Sequence, residues 1–218
     1  MSLWPYDNRG QSAERWLTTV LAVMVLNTVY LTWRFTALYA GWATPGTGLC
    51  SWSVGIDCDR VLQTPEARAF IVPNAVLGLS FYSTALLWWI AGRRLTAANN
   101  PVVTRVLVIG LSTASLASLW FWRLLLQLES LCPVCPWNHV LTYVALVFAA
   151  RLLRKQKRGM SNENSGLLRP LAAICALWFL LCLAGWFFFE FSVEKATSAQ
   201  LRQPGMPESQ VGTWISYT

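Results

Sequence analysis

The chain has 218 residues, of which 55% are hydrophobic and only 12% charged, with 13 Trp and a mean hydropathy of +0.43. So many long apolar runs cannot be hidden in one soluble core of this size, so the composition excludes an ordinary soluble domain and points to a bilayer protein. The net charge of +7 does not indicate a nucleic-acid partner, because Lys and Arg cluster between apolar runs instead of along one solvated face.

Residues 1–15 are polar and mixed in charge, and read as a cytoplasmic N-terminal segment. No cleavable signal peptide is expected, since the first apolar run ends on Arg34 and Phe35 without a small-residue cleavage site. That run, Trp16 to Trp33, is the first of five predicted spans; the others are Phe70 to Ala91, Val106 to Leu128, Pro136 to Leu153 and Leu171 to Phe189. Each reaches or approaches the ~20 apolar residues that cross a bilayer as a helix. Lipid leaves no other partner for backbone groups outside a helix or closed barrel, and the absence of period-two alternation excludes the barrel. Residues 16–153 hold the first four spans, including a long loop at 35–69 and a very short link around Glu129 to Pro133. A basic loop at 154–169, a fifth helix at 170–190 and a tail at 191–218 complete the order. The tail is too short to be a folded thioredoxin-like domain.

Orientation follows from the basic residues. The N-terminal segment, residues 93–105 and residues 151–169 carry 2, 3 and 6 Lys/Arg, or 11 of the 17. The 35–69 loop (Arg60, Arg68) and the tail (Lys195, Arg202) carry two each. The N-terminus is therefore expected in the cytoplasm, with loop 35–69, the link near residue 131 and the tail outside.

Six cysteines are present. Cys175 and Cys182 lie within the last apolar run and read as packing residues. Cys50 and Cys58 lie in the long loop, and Cys132 and Cys135 form Cys-Pro-Val-Cys at the start of the fourth span. All four fall on the side expected to be oxidising, where disulfides persist. Two residues between thiols at a helix start is the spacing of a redox dithiol, with a thiolate favoured by the helix N-terminus. Pro133 and Pro136 fit a first helical turn, where a missing N–H costs nothing. Static disulfides are the blander alternative, but a structural bridge more naturally joins distant segments. A third alternative is a soft-metal site of Cys132, Cys135 and His139, the chain's one His, as in a metal transporter or sensor.

A spaced pair in the loop after the first span, then Cys-x-x-Cys opening the fourth, resembles the vitamin K epoxide reductase (VKOR) family and in particular its bacterial homologues. Cys58-Asp59-Arg60-Val61-Leu62, then Pro73-Asn74-Ala75-Val76-Leu77-Gly78 and Tyr82, are similar to the family's loop-to-second-helix signature. The resemblance covers roughly residues 16–150. The unrelated bacterial quinone-linked disulfide catalyst carries its Cys-x-x-Cys before the spaced pair, the reverse of the order here.

The resemblance implies an all-α integral membrane fold: a four-helix transmembrane bundle around a quinone (ubiquinone or menaquinone), with a fifth, peripheral transmembrane helix. It implies catalytic roles for Cys50, Cys58, Cys132 and Cys135, with quinone contacts from Cys135, Asn74 and His139. Cys50 would meet a reduced thioredoxin-fold (DsbA-like) periplasmic protein, Cys58 would pass electrons to Cys132, and Cys135 would face the quinone. The Asn74 amide would bind a quinone carbonyl. Homologues often have Ser or Thr where Pro73 stands, and the His139 position varies, including Tyr in animal enzymes. Many bacterial homologues carry a fused thioredoxin-like domain, and none is read in this chain, so the partner is expected to be a separate protein. The function implied is a thiol–quinone oxidoreductase of the inner (plasma) membrane that supports disulfide formation, with vitamin K epoxide or quinone reduction as the alternative main task.

Among the remaining polar residues, Asn27 is expected to make a helix–helix hydrogen bond. Arg34 and Arg123 are expected to snorkel from span ends. Trp16, Trp33, Trp88, Trp89 and Trp137 are expected in interfacial belts.

Overall fold

A computed structural model describes residues 8–53, 55–69, 72–95, 101–127, 130, 132–157 and 168–201. These form six α-helices: α1 (Asn8–Tyr39), α2 (Cys58–Leu62), α3 (Asn74–Leu95), α4 (Pro101–Leu125), α5 (Val134–Lys157) and α6 (Leu168–Leu201). Four short strands lie between α1 and α3: β1 (Ser51–Ser53), β2 (Ile56–Asp57), β3 (Arg68–Ala69) and β4 (Val72–Pro73). Residues 1–7, most of the basic loop (158–167) and the tail from 202 onward lie outside the described residues.

Among the described residues, four helices contain stretches long and apolar enough to cross a membrane: Ser12–Tyr39, Asn74–Arg94, Pro101–Leu125 and Ala172–Lys195. The protein is an all-α membrane protein. The fourth predicted span, α5, is 24 residues long, enough for a core of ~30 Å at ~1.5 Å per residue. Its apolar character is diluted by Asn138, His139 and Thr142, and by Arg151, Arg154, Lys155 and Lys157 near its end.

The helices close a ring, with α1 packed between α3 and α5, and α4 packed on the far side against the same two. α6 lies outside the ring against α3 and, more lightly, α1. Its lipid-side face shows Phe179, Phe187, Phe188 and Phe191. The lower core is apolar, built from Leu17, Leu21 and Met24 of α1, Leu107 and Leu111 of α4, and Ala145 and Ala149 of α5. Several hydroxyls inside the helices are satisfied by their own helix: Thr28 donates to Met24 O, Ser80 to Val76 O, Ser115 to Leu111 O and Thr142 to Asn138 O. Glycine sets two close helix contacts. A Cβ on Gly92 would stand 2.6 Å from Val103 Cγ1, and one on Gly185 would stand 2.7 Å from Val76 Cγ1. Small residues serve this purpose where helices associate without a hydrophobic drive.

Three expectations are corrected. α1 continues six residues past Trp33 to Tyr39, so Arg34 lies inside a helix, 4% exposed, and does not snorkel. Trp89 is buried, donating to Thr18 Oγ1, and the half-buried Trp88 donates to Val103 O; both are interior anchors and not belt residues. α6 runs beyond Phe189 to Leu201, so the start of the predicted tail is helical. Trp16, Trp33 and Trp137 are exposed, as a belt requires.

Candidate active site

One end of the bundle gathers the C-termini of α1 and α4, the N-termini of α3 and α5, and the long loop. A hairpin of β1 and β2, pairing Ser51 with Asp57, brings Cys50 and Cys58 together with their Cα atoms 5.6 Å apart. The two are joined as a disulfide. Asp57 caps α2, accepting from the Asp59 N–H at 3.0 Å and from the Ser51 hydroxyl. α2 thus starts at Cys58 and turns Val61 and Leu62 inward against Leu31, Phe35 and Cys132.

The loop is clamped by a buried ion pair. Arg34 Nε donates to Asp59 Oδ1 at 2.7 Å and Arg34 Nη2 to Oδ2 at 2.6 Å, with side-chain exposures of 5% and 0%. Arg34 also donates to Thr44 O and Thr47 Oγ1, while Asp59 Oδ2 accepts from the Gly46 and Gly48 amides at 2.9 and 3.1 Å. A Cβ on Gly48 would stand 2.7 Å from Asp59 Oδ1, so this close approach needs glycine. Burial opposes ionisation of Asp59, but the guanidinium and the two amides outweigh it and hold the carboxyl below its ordinary pKa. A second tie lies across the loop's far end, where the Arg68 guanidinium sits 4.4 Å from the Tyr39 ring centroid and 6.0 Å from that of Phe189.

These ties set the sulfurs in series. The Sγ atoms of Cys50, Cys58 and Cys132 all lie within 4.8 Å of one another, and Cys135 Sγ donates to Cys132 Sγ at 2.7 Å. Cys132 lies just before α5 and Cys135 in its first turn, with the Cys135 N–H donating to Cys132 O. The hydrogen bond from the Cys135 thiol, helped by the amides of Val134 and Cys135, lowers the Cys132 pKa against the effect of burial. Asn27 donates to Val134 O at 3.2 Å, fastening α1 to this turn as the expected helix–helix bond. The metal grouping of Cys132, Cys135 and His139 is not assembled. Among the described residues the close set of potential ligands is Cys50, Cys58 and Cys132, two of them already bonded to each other.

Two cavities flank the sulfurs. One, about 300 Å³, is lined by Asn27, Tyr30, Leu49, Cys50, Pro133 and Trp137. Tyr30 Oη accepts from the Leu49 N–H at 3.0 Å and lies 3.8 Å from Cys50 Sγ. The other, about 500 Å³ and mostly apolar, runs between α3 and α4 and includes Cys135, Asn74 and His139 in its lining. The reduced form of a quinone head group would suit this site, because its two ring hydroxyls would donate to buried acceptor atoms without partners, Asn74 Oδ1 and Asn138 Oδ1, among mostly apolar walls. Asn74 Nδ2 donates to Glu66 O at 2.7 Å, so the loop already orients the amide. His139 stacks on Phe121 at 5.8 Å and shares a 3.0 Å hydrogen bond with Ser118.

A family model described as the vitamin K epoxide reductase family matches residues 15–150. The chain belongs to that family. Comparisons with curated proteins and with solved structures gave no match. Family membership makes the protein a membrane oxidoreductase, and the matched region holds most of each of the four ring helices together with Cys50, Cys58, Cys132 and Cys135. The six site residues read from the sequence fall into one connected region: four sulfurs in series, with Asn74 and His139 on the cavity that Cys135 enters. The Arg34–Asp59 clamp, Tyr30 and Asn138 were not read as site residues. An arginine inside an otherwise apolar run, with acidic residues only in the following loop, was the available signal for the clamp.

Proposed function

We propose that this VKOR-family chain is a thiol–quinone oxidoreductase that takes two electrons from a separate thioredoxin-fold dithiol protein and delivers them to a membrane quinone, supporting disulfide-bond formation. The observation that carries this reading is the unbroken run of sulfurs from the pocket at Cys50 to the apolar cavity at Cys135. A donor thiolate attacks Cys50, breaking the Cys50–Cys58 bond and releasing Cys58 as a thiolate; the second donor thiol then displaces Cys50, leaving the donor oxidised. With the inner pair oxidised, Cys58 attacks Cys132 and Cys135 leaves as a thiolate. Cys50 then attacks Cys58, restoring the loop disulfide and expelling Cys132, whose negative charge the Val134 and Cys135 amides stabilise.

Bound quinone accepts two electrons and two protons as the Cys132–Cys135 disulfide reforms. Asn74 and Asn138 orient the ring, while His139, held by Ser118 and Phe121, offers a proton-exchanging side chain at the cavity wall. The topology that fits is an inner (plasma) membrane protein with a cytoplasmic N-terminus and its cysteines on the oxidising side.

The test is quinone reduction in lipid nanodiscs with a reduced thioredoxin-fold donor. The parent should turn over, and Cys50→Ala and Cys135→Ala should each abolish donor-dependent turnover. Vitamin K epoxide offered as a competing acceptor in the same assay separates the alternative main task. A folded parent that passes no electrons from donor to quinone would sink the proposal.

A further inference from the structure

We infer that α6 forms one wall of a subsite for the prenyl tail of the quinone, making the fifth helix part of substrate recognition and not merely a peripheral anchor. The inference rests on the quinone reading and extends it to a segment outside the matched residues 15–150.

The large cavity is much longer than a ring requires. Its lining on α3 runs from Asn74 to Ala85, and on α4 from Val106 to Leu125. At ~1.5 Å per residue these correspond to about 17 and 28 Å of helix. Polarity is unevenly spread along it. Asn74, Asn138, His139 and Cys135 cluster at the loop end, whereas the deeper lining is Phe81, Ala85, Val106, Leu107, Ile109 and Gly110. The deeper hydroxyls are spent within their own helices, Thr84 on Ser80 O and Thr113 on Ile109 O. An apolar chain can therefore lie there without stranding a polar group.

The deep part is where α6 joins the lining, through Ile174, Cys175 and Trp178. Its depth is fixed by two contacts: Gly185 abuts Val76, and Cys182 reaches Ser80, so α6 runs antiparallel to α3. Trp178, Cys175 and Ile174 thus lie roughly two to three helical turns below the Gly185–Val76 contact. Cys175 is exposed and Trp178 is 39% exposed, so this wall opens laterally toward lipid, where a tail would extend. A lipid-soluble chain entering from the bilayer meets α6 first and the ring site last.

Cys175 supplies a readout separate from turnover. Two fully ring-substituted quinones, unable to arylate thiols, would share one ring and differ only in the side chain, methyl in one and several isoprene units in the other. In nanodiscs containing the otherwise unaltered protein, Cys175 is labelled with a membrane-permeant maleimide and its adduct quantified by peptide mass spectrometry. The long-tailed quinone at ~10 times its Kd should slow Cys175 labelling roughly tenfold by mass action, and the methyl quinone should leave it unchanged. Trp178→Ala and Ile174→Ala should raise KM for the long-tailed quinone while leaving kcat and the methyl quinone's KM in place. Turnover of both quinones with equal Cys175 labelling overturns the tail subsite and leaves the proposed reaction standing. Failure to reduce either quinone overturns the reaction instead.

Discussion

Replacing Asp59 by Asn keeps a side chain of nearly the same shape but strands the Arg34 guanidinium without its counter-charge. The pair is almost completely buried, at 5% and 0% side-chain exposure, and bidentate at 2.7 and 2.6 Å. Removing one partner of such a pair costs about 3–5 kcal/mol, because the remaining charge stays desolvated. The α1–α3 loop is tied down by this pair and contributes little apolar core of its own beyond Val61 and Leu62, so the cost should appear as local opening. That range corresponds to a shift of roughly 10²–10⁴-fold in the loop's open-to-closed ratio. Hydrogen exchange in nanodiscs reads it directly at the Gly46 and Gly48 amides, which donate to Asp59. Asp59→Asn should accelerate both by that factor while the α1 and α5 core amides keep their protection. The double variant Arg34→Met/Asp59→Asn should recover much of the loss, since the stranded charge is gone and an acceptor for the glycine amides remains. Unchanged exchange in the single variant, or a double variant as open as the single, would refute the desolvation argument.

The same clamp has a defined acid limit. The folded Asp59 carboxyl titrates below its ordinary value, so its contribution is fully present above the unfolded pKa of ~3.9 and fades as pH falls through the lower folded value. Loop protection, corrected for intrinsic exchange, should be flat from neutrality to about pH 5 and lost only in stronger acid; loss by pH 6 would contradict it. Asn74→Leu removes both the oriented amide and its bond to Glu66 O, and should lower quinone turnover by about 10²-fold with donor oxidation by the loop pair retained, measured as single-turnover thiol exchange. Gly185→Leu drives a side chain into Val76 and should cost about 1–3 kcal/mol of α6 docking, seen as faster exchange in α6 and not in the ring.

Much of this architecture is visible in the sequence because lipid leaves few choices. A long apolar run must be a helix, and the cysteine order marks two of the connections as the candidate site. What escaped is what one dimension cannot carry. The end of α1 was set at Trp33 by hydropathy, yet Arg34 continues the helix because Asp59, 25 residues later, neutralises it in the interior. Trp88 and Trp89 look like belt residues until Val103 O and Thr18 Oγ1 are seen to take their N–H groups. α6 outlasts its apolar run because, beyond the predicted end at Phe189, Ser192 is buried and Val193 packs on the cluster around Phe35 and Leu38. The six expected site residues lie in one connected region, but the clamp beside the loop cysteines is a tertiary pairing with no local signature.

The division of labour between the two loop cysteines can be argued from access. Cys50, itself 3% exposed, lines the pocket whose rim is the exposed Leu49 and Trp137, whereas Cys58 is 0% exposed at the start of α2 and lines neither cavity. An incoming thiolate must reach a sulfur along the line of the disulfide bond, so in the proposed reaction the partner would meet Cys50 and the inward-facing Cys58 would be left to engage Cys132. Tyr30 Oη, 3.8 Å from Cys50 and already accepting from Leu49, has its proton free to steady negative charge there. Two traps follow. In Cys58→Ser, a donor whose single active-site cysteine is held as a mixed disulfide with an aromatic thiol should become linked to Cys50, whose thiolate displaces that aromatic thiolate. In Cys50→Ser, mild oxidation should join Cys58 to Cys132. Non-reducing gels with peptide mass spectrometry identify each bond. Capture of the donor on Cys58 in Cys50→Ser, together with a Cys50–Cys132 bond in Cys58→Ser, would reverse the order and show that the loop must open before the partner is received.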